Sequence, residues 1–112
     1  MLAKQNRVVS ATDFRLAMRK GRKAVTAHTF IHVVKVGDAE TRFGFIVSKV
    51  VGNAVKRNVV KRRLREIGAE FIDSVPTGYI VVIRPVAGAA DLTWSELHAE
   101  VAPAIRKVTA KI

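Results

Sequence analysis

A chain of 112 residues with 20 Lys or Arg against 9 Asp or Glu, a formal net charge of +11 and 49% hydrophobic residues is sized for one domain, residues 1–112. It is too apolar for a disordered polycation. The absence of cysteine excludes disulfides and thiolate metal sites, so packing alone must hold the fold. No apolar run approaches the roughly 18 to 20 residues of a bilayer span, and the opening MLAKQNRVVSATDF lacks the apolar stretch of a signal peptide; a cytoplasmic location and no membrane partner are expected.

In chain order, Ser10-Ala11-Thr12-Asp13 opens a short helix with Phe14, Ala17 and Met18 at helical spacing, and Gly21 stops it. From Val25 to Val36 the residues are mostly β-branched, aromatic or histidine, which predicts a strand. Gly37 to Glu40 reads as a turn and Thr41 to Val50 as a second strand, giving an antiparallel pair. Asn53 caps a helix from Ala54 to about Ile72, ended by the Pro76-Thr77-Gly78 turn; Tyr79 to Pro85 is a short and nearly uninterrupted apolar strand. Thr93-Trp94-Ser95-Glu96 is a capping box opening a last helix with Leu97, Val101, Ile105 and Val108 on one side, and Pro103 should kink or divide it. The order implies an α+β fold: a two-layer sandwich of three helices on a small mixed or antiparallel sheet, with the second sheet face free for a ligand.

The charge is concentrated. Residues 1–65 hold 16 Lys or Arg against Asp13, Asp38 and Glu40, whereas residues 66–112 hold four against six acids. Six of the ten positions from Lys56 to Arg65 are basic. At about 100° per residue, Val60, Leu64, Ile67 and Phe71 form the core face. Arg57, Lys61 and Arg65 make an i, i+4, i+8 row beside it, with Asn58 and Arg62 in the next row. Like charges at i, i+4 cost a free helix about 0.2 to 0.5 kcal/mol per pair, which a polyanion would reverse. A nucleic-acid partner therefore leads; the plainer alternative, a solvated face, usually mixes both signs.

Val47-Ser48-Lys49, Gly52-Asn53-Ala54-Val55 and then Arg57-Asn58, Lys61-Arg62 and Arg65-Glu66 resemble the signature of the bacterial ribonuclease P protein component, R-N-R-x-K-R-x-x-R after a strand ending V-S-K-K. Asn6-Arg7, Asp13-Phe14, Gly21 and the late strand ending in Arg-Pro extend the resemblance over essentially the whole chain. It implies a noncatalytic subunit of a ribonucleoprotein in which the RNA, with Mg²⁺ bound mainly by RNA, removes the 5′ leader of precursor tRNA. The implied partners are the ribonuclease P RNA and the precursor; no protein partner is implied. The implied RNA-binding residues are Lys56, Arg57, Asn58, Lys61, Arg62, Arg63 and Arg65, with Ser48, Lys49 and Arg7; Phe14, Met18 and His32 would line the leader cleft. The implied fold is like the second domain of ribosomal protein S5, with a left-handed β-α-β crossover. Val59 and Val50 stand where the pattern has basic residues, and Met18 and His32 where relatives often have aromatics.

Taken without the resemblance, Phe14 and Met18 fit a helix core equally well, and His32 a structural strand position. A protein active site is not expected: His28 and His32, if in one strand, lie about 13 Å apart, and Glu66, Glu70 and Asp73 read as solvated helix surface more readily than as a metal site. No catalytic or metal-binding side chains are assigned. Two rivals stand beside the subunit reading: a structural RNA-binding protein, and an independent RNA-cleaving enzyme.

Overall fold

The computed structural model describes residues 2–112. Helix α1, Ala11–Lys20, starts where the Ser10 hydroxyl accepts from the Asp13 amide, and ends at Gly21, where an added Cβ would lie 2.3 Å from the Ala17 carbonyl oxygen. Strands β1 (Arg22–Val25) and β2 (Thr29–Glu40) follow, then β3 (Arg42–Phe45), α2 (Ala54–Ser74), β4 (Thr77–Pro85) and α3 (Trp94–Ala110), with short 3-10 turns between some of them.

The sheet order is β1-β2-β4-β3. β2 is antiparallel to β1 and to β4, and β3 is parallel to β4, so α2 is the crossover of a β-α-β unit between adjacent strands. This corrects the expected hairpin at Gly37 to Glu40. Those residues continue β2, with Gly37 at φ 67° and a register shift between Lys35 and Glu40. The hairpin lies earlier, between β1 and β2, where the Thr29 amide donates to the Thr26 hydroxyl at 3.1 Å and the Thr26 amide to the Thr29 carbonyl at 2.9 Å. The reason is burial: Ile80, Val81, Val82 and Ile83 of β4 are all 0% exposed. A strand apolar on both faces requires a neighbour on each side and cover above and below, so β4 takes the centre and parts β2 from β3.

Alternation along the strands divides the core. Ile31, Val33, Val81 and Ile83 face α2 and α3, meeting Val60, Leu64, Ile67, Leu97, Val101 and Ile105; Ile80 and Val82 face the other way, toward Ala17 of α1 and Val8. The second face is thus partly covered by α1, and what stays open is the strip beside that helix. The last helix runs unbroken through Pro103, whose side chain is exposed. Proline removes one backbone donor there, and the helix continues past it to Ala110. The capping box at its start is complete, and Thr93 holds the Glu96 carboxyl below the usual carboxylate range through hydrogen bonds from its backbone and side chain. Among the described residues, no helix is long and apolar enough to cross a membrane.

Candidate nucleic-acid interface

The basic helix is anchored before it is used. Asn53 Oδ1 accepts from the Lys56 amide at 3.0 Å, satisfying one of the free N–H groups of the first turn, and the Val60–Leu64–Ile67–Phe71 face is buried. The charged row is therefore held at a fixed azimuth. Asn58, Lys61, Arg62 and Arg65, with Glu66 at the margin, line a groove of about 520 Å³ completed by Arg7. Arg7 arrives from the N-terminal segment, which pairs with the free edge of β3: Arg7 forms a parallel bridge with Phe43, and the Val8 amide donates to the Phe43 carbonyl at 2.9 Å. Its Nε and Nη2 donate to the Leu2 carbonyl at 3.1 and 2.9 Å. The guanidinium is fixed in position, and its remaining donors are left for an anion.

Arg7, Lys61 and Arg65 also line a second hollow of about 160 Å³, with Phe14, Gly44 and Phe45. The cationic groove and the aromatic cleft are one continuous surface that shares three cations. Asp13, at the start of α1, pairs with Arg42 of β3 and holds Phe14 over Gly44, where an added Cβ would lie 2.6 and 2.8 Å from the ring atoms Cε1 and Cζ. Glycine is required here because the ring occupies the place of a side chain.

The other residues singled out from the sequence take different places. Met18, 38% exposed, is one turn along α1 from Phe14. His32 is buried on β2, and its pKa is pushed below the ordinary value by burial first and then by Lys23 and Arg84. Ser48, Lys49 and Lys56 are exposed around the start of α2, and Arg57 is half-buried there, its Nε without a protein hydrogen-bond partner. Arg63 is turned away from the groove and donates to the Leu92 carbonyl, tying α2 to the segment before α3.

Sequence reasoning missed Phe30. It lies two residues from His32 and so on the same sheet face, with Lys23 Nζ and the Arg84 guanidinium carbon each 4.7 Å from its ring centroid. The period of 2 could have found the aromatic; only the register, which sets Lys23 opposite His32 and Arg84 opposite Phe30, brings in the two cations. Glu70 is occupied by His98 at 2.8 Å and Arg106 at 3.8 Å. Among the described residues, no group of three or more His, Asp or Glu converges as a metal site would.

A family model described as Ribonuclease P matches residues 2–109. The ribonuclease P protein component of Clavibacter michiganensis subsp. michiganensis is 43% identical over 113 residues, covering 100% of both chains. That of an Arthrobacter species is 46% identical over 104 residues, covering 89% of this chain and 74% of the relative. Among solved structures, an RNase P protein from Staphylococcus aureus matches with a TM-score of 0.74 at 26% identity, over 96% of this chain and 94% of that one. The protein from Thermotoga maritima matches at 0.76 and 21% identity, over 93% and 96%, a likeness of fold.

Proposed function

This chain belongs to the ribonuclease P protein family, and we propose that it binds the catalytic RNA through the groove of α2 and the 5′ leader of precursor tRNA through the adjoining cleft, promoting Mg²⁺-dependent removal of the leader. The observation that carries this reading is the sharing of Arg7, Lys61 and Arg65 by groove and cleft. One set of cations can face two polyanions that would otherwise repel each other. Arg supplies forked donors to phosphate oxygens and Lys a mobile point charge, so the groove suits a folded RNA backbone recognised by shape.

The cleft suits a single strand. A base stacked on an aromatic ring contributes about 1 to 3 kcal/mol, and Phe14 offers a face for this, whereas the Phe30 ring already carries Lys23 and Arg84. Where the sequence has Met18 and His32, phosphate contacts and packing take the larger share. Burial, with Lys23 and Arg84 nearby, disfavours the charged form of His32, which suits the ring to packing there.

Among the described residues, Glu70 is engaged by His98 and Arg106, and no three ligating side chains come together. The reading assigns the ion to RNA phosphates and gives the protein the task of holding substrate in register. Binding that strengthens toward the transition state lowers the barrier without new chemistry.

The test is cleavage of a precursor tRNA at low Mg²⁺ by a bacterial ribonuclease P RNA, with the protein present, absent or alone. Stimulation only in the combination is expected. Binding without stimulation would favour a purely structural RNA-binding role, and cleavage by the protein alone would refute the noncatalytic assignment.

A further inference from the structure

We propose that the hollow between β1 and the C-terminal half of α3 binds backbone phosphates of the distal leader, upstream of the nucleotides held in the cleft. This rests on the leader-binding reading above and extends the strand's path across the protein. The hollow, about 520 Å³, is lined by Arg22, Lys23, Lys107 and Lys111 with Val25 and Val108 beside them, and no acid is among its lining residues. It lies at the opposite edge of the sheet from β3, about three strand spacings or ~14 Å away.

Continuity identifies the occupant. Helix α1 crosses the sheet from Phe14, over Gly44 of β3, to Gly21, which packs on the Val33 carbonyl and leads into Arg22 of β1. Beside it, the same sheet face carries Gly44, Val82, His32 and Lys23 in one row across the four strands, with Arg84 and Phe30 paired in the next. Lys23 ends that row and also lines the hollow, while its Nζ lies over the Phe30 ring. A strand leaving Phe14 along this strip passes Phe30 and reaches Lys23 at the β1 edge, and rounding that edge brings it to Arg22, Lys107 and Lys111.

Edge protection accounts for Arg22 and Lys23 on an outermost strand, and the helix macrodipole for Lys107 and Lys111 near the end of α3. Neither accounts for their lining one hollow, Lys23 from the cleft face and Arg22, Lys107 and Lys111 from beyond the β1 edge, with Val25, 62% exposed, beside them. A polyanion whose bases present flat apolar faces fits both the charge and the exposed valine.

The experiment measures affinity of the reconstituted holoenzyme for precursors with leaders of about 4 and about 16 nucleotides, the span of single-strand grooves, using the wild type and Lys107→Ala/Lys111→Ala. Each single-strand phosphate contact contributes about 0.7 to the log–log salt slope. Loss of two contacts makes the long-leader slope shallower by about 1.4, so between 50 and 200 mM salt the wild type should lose about 7-fold more affinity than the variant. The short-leader precursor should bind both proteins alike. Equal loss for both leaders, or none for either, overturns the proposal; so does weaker binding of the ribonuclease P RNA itself, which would assign the hollow to that RNA. Lys61→Ala separates the two levels: if it weakens leader binding while the double variant does not, only the distal site fails, and if neither has an effect, the cleft reading fails as well.

Discussion

Replacing Gly44 by alanine places one methyl where the Phe14 ring lies. The added Cβ would be 2.6 and 2.8 Å from Cε1 and Cζ and 3.0 Å from Val8 Cβ, against an ordinary contact of about 3.5 to 4.0 Å. The ring must retreat by roughly 1 Å, and Val8, part of the small core under α1, cannot yield freely. Overpacking of this kind costs about 1 to 3 kcal/mol, which for a domain near 100 residues lowers Tm by about 4 °C or more per kcal/mol. Displacing the ring also removes part of a stacking interaction of about 1 to 3 kcal/mol, so leader affinity should fall roughly 5- to 100-fold while affinity for the RNA subunit holds. The assay is a double-mutant cycle with Phe14→Ala, reading Tm and the affinity ratio of precursor to mature tRNA. In the Phe14→Ala background the ring clash is absent and only the 3.0 Å approach to Val8 Cβ remains, so Gly44→Ala should cost clearly less Tm than in the wild type and little in the affinity ratio. Strictly additive losses would refute the contact, and an unchanged affinity ratio in both single variants would refute stacking on Phe14.

Neighbouring arginines of α2 should behave oppositely. Arg62→Ala should make the salt dependence of RNA binding shallower by roughly 0.7 to 0.9 with Tm unchanged, whereas Arg63→Ala, which removes a charged hydrogen bond to Leu92, should cost about 1.5 to 3 kcal/mol in urea denaturation with RNA affinity nearly intact; the reverse pattern would overturn the assignment of faces. Asn53→Ala deletes the cap of α2 and should lower stability by about 0.5 to 2 kcal/mol, read as a shift in urea midpoint. His32 is held below its ordinary pKa of 6.5, so in the window just below about pH 6.5 the unfolded chain binds more protons than the native one and stability falls as pH falls. His32→Gln should flatten that part of the urea-midpoint profile, and an unchanged slope would show that the histidine is not desolvated.

What could be read without the structure was local. Asn53 and Thr93 announce their helices because a cap is satisfied within three residues, and the Val60–Leu64–Ile67–Phe71 face follows from helical geometry alone. The basic row and its outward direction follow from the same wheel. Arg22 to Val25 escaped notice because a four-residue edge strand with an exposed, exposed, intermediate, exposed pattern carries no alternation to detect. The expected hairpin failed for a different reason: a turn signal at Gly37 is a property of the segment, while the choice of strand partner is a competition across the chain.

The sequence by itself determined a basic α+β domain, its two longer helices and their buried faces, and a charged row fixed relative to the core. Tertiary structure decided that β4 enters between β2 and β3, because only the centre of the sheet buries both faces of Ile80 to Ile83. From that order follow the meeting of Arg7 with Lys61 and Arg65, the placement of Lys23 and Arg84 about Phe30, and the turning of Arg63 toward Leu92. Each joins residues distant in the chain, and such contacts are set by which surfaces must be buried together, a condition that no single segment encodes.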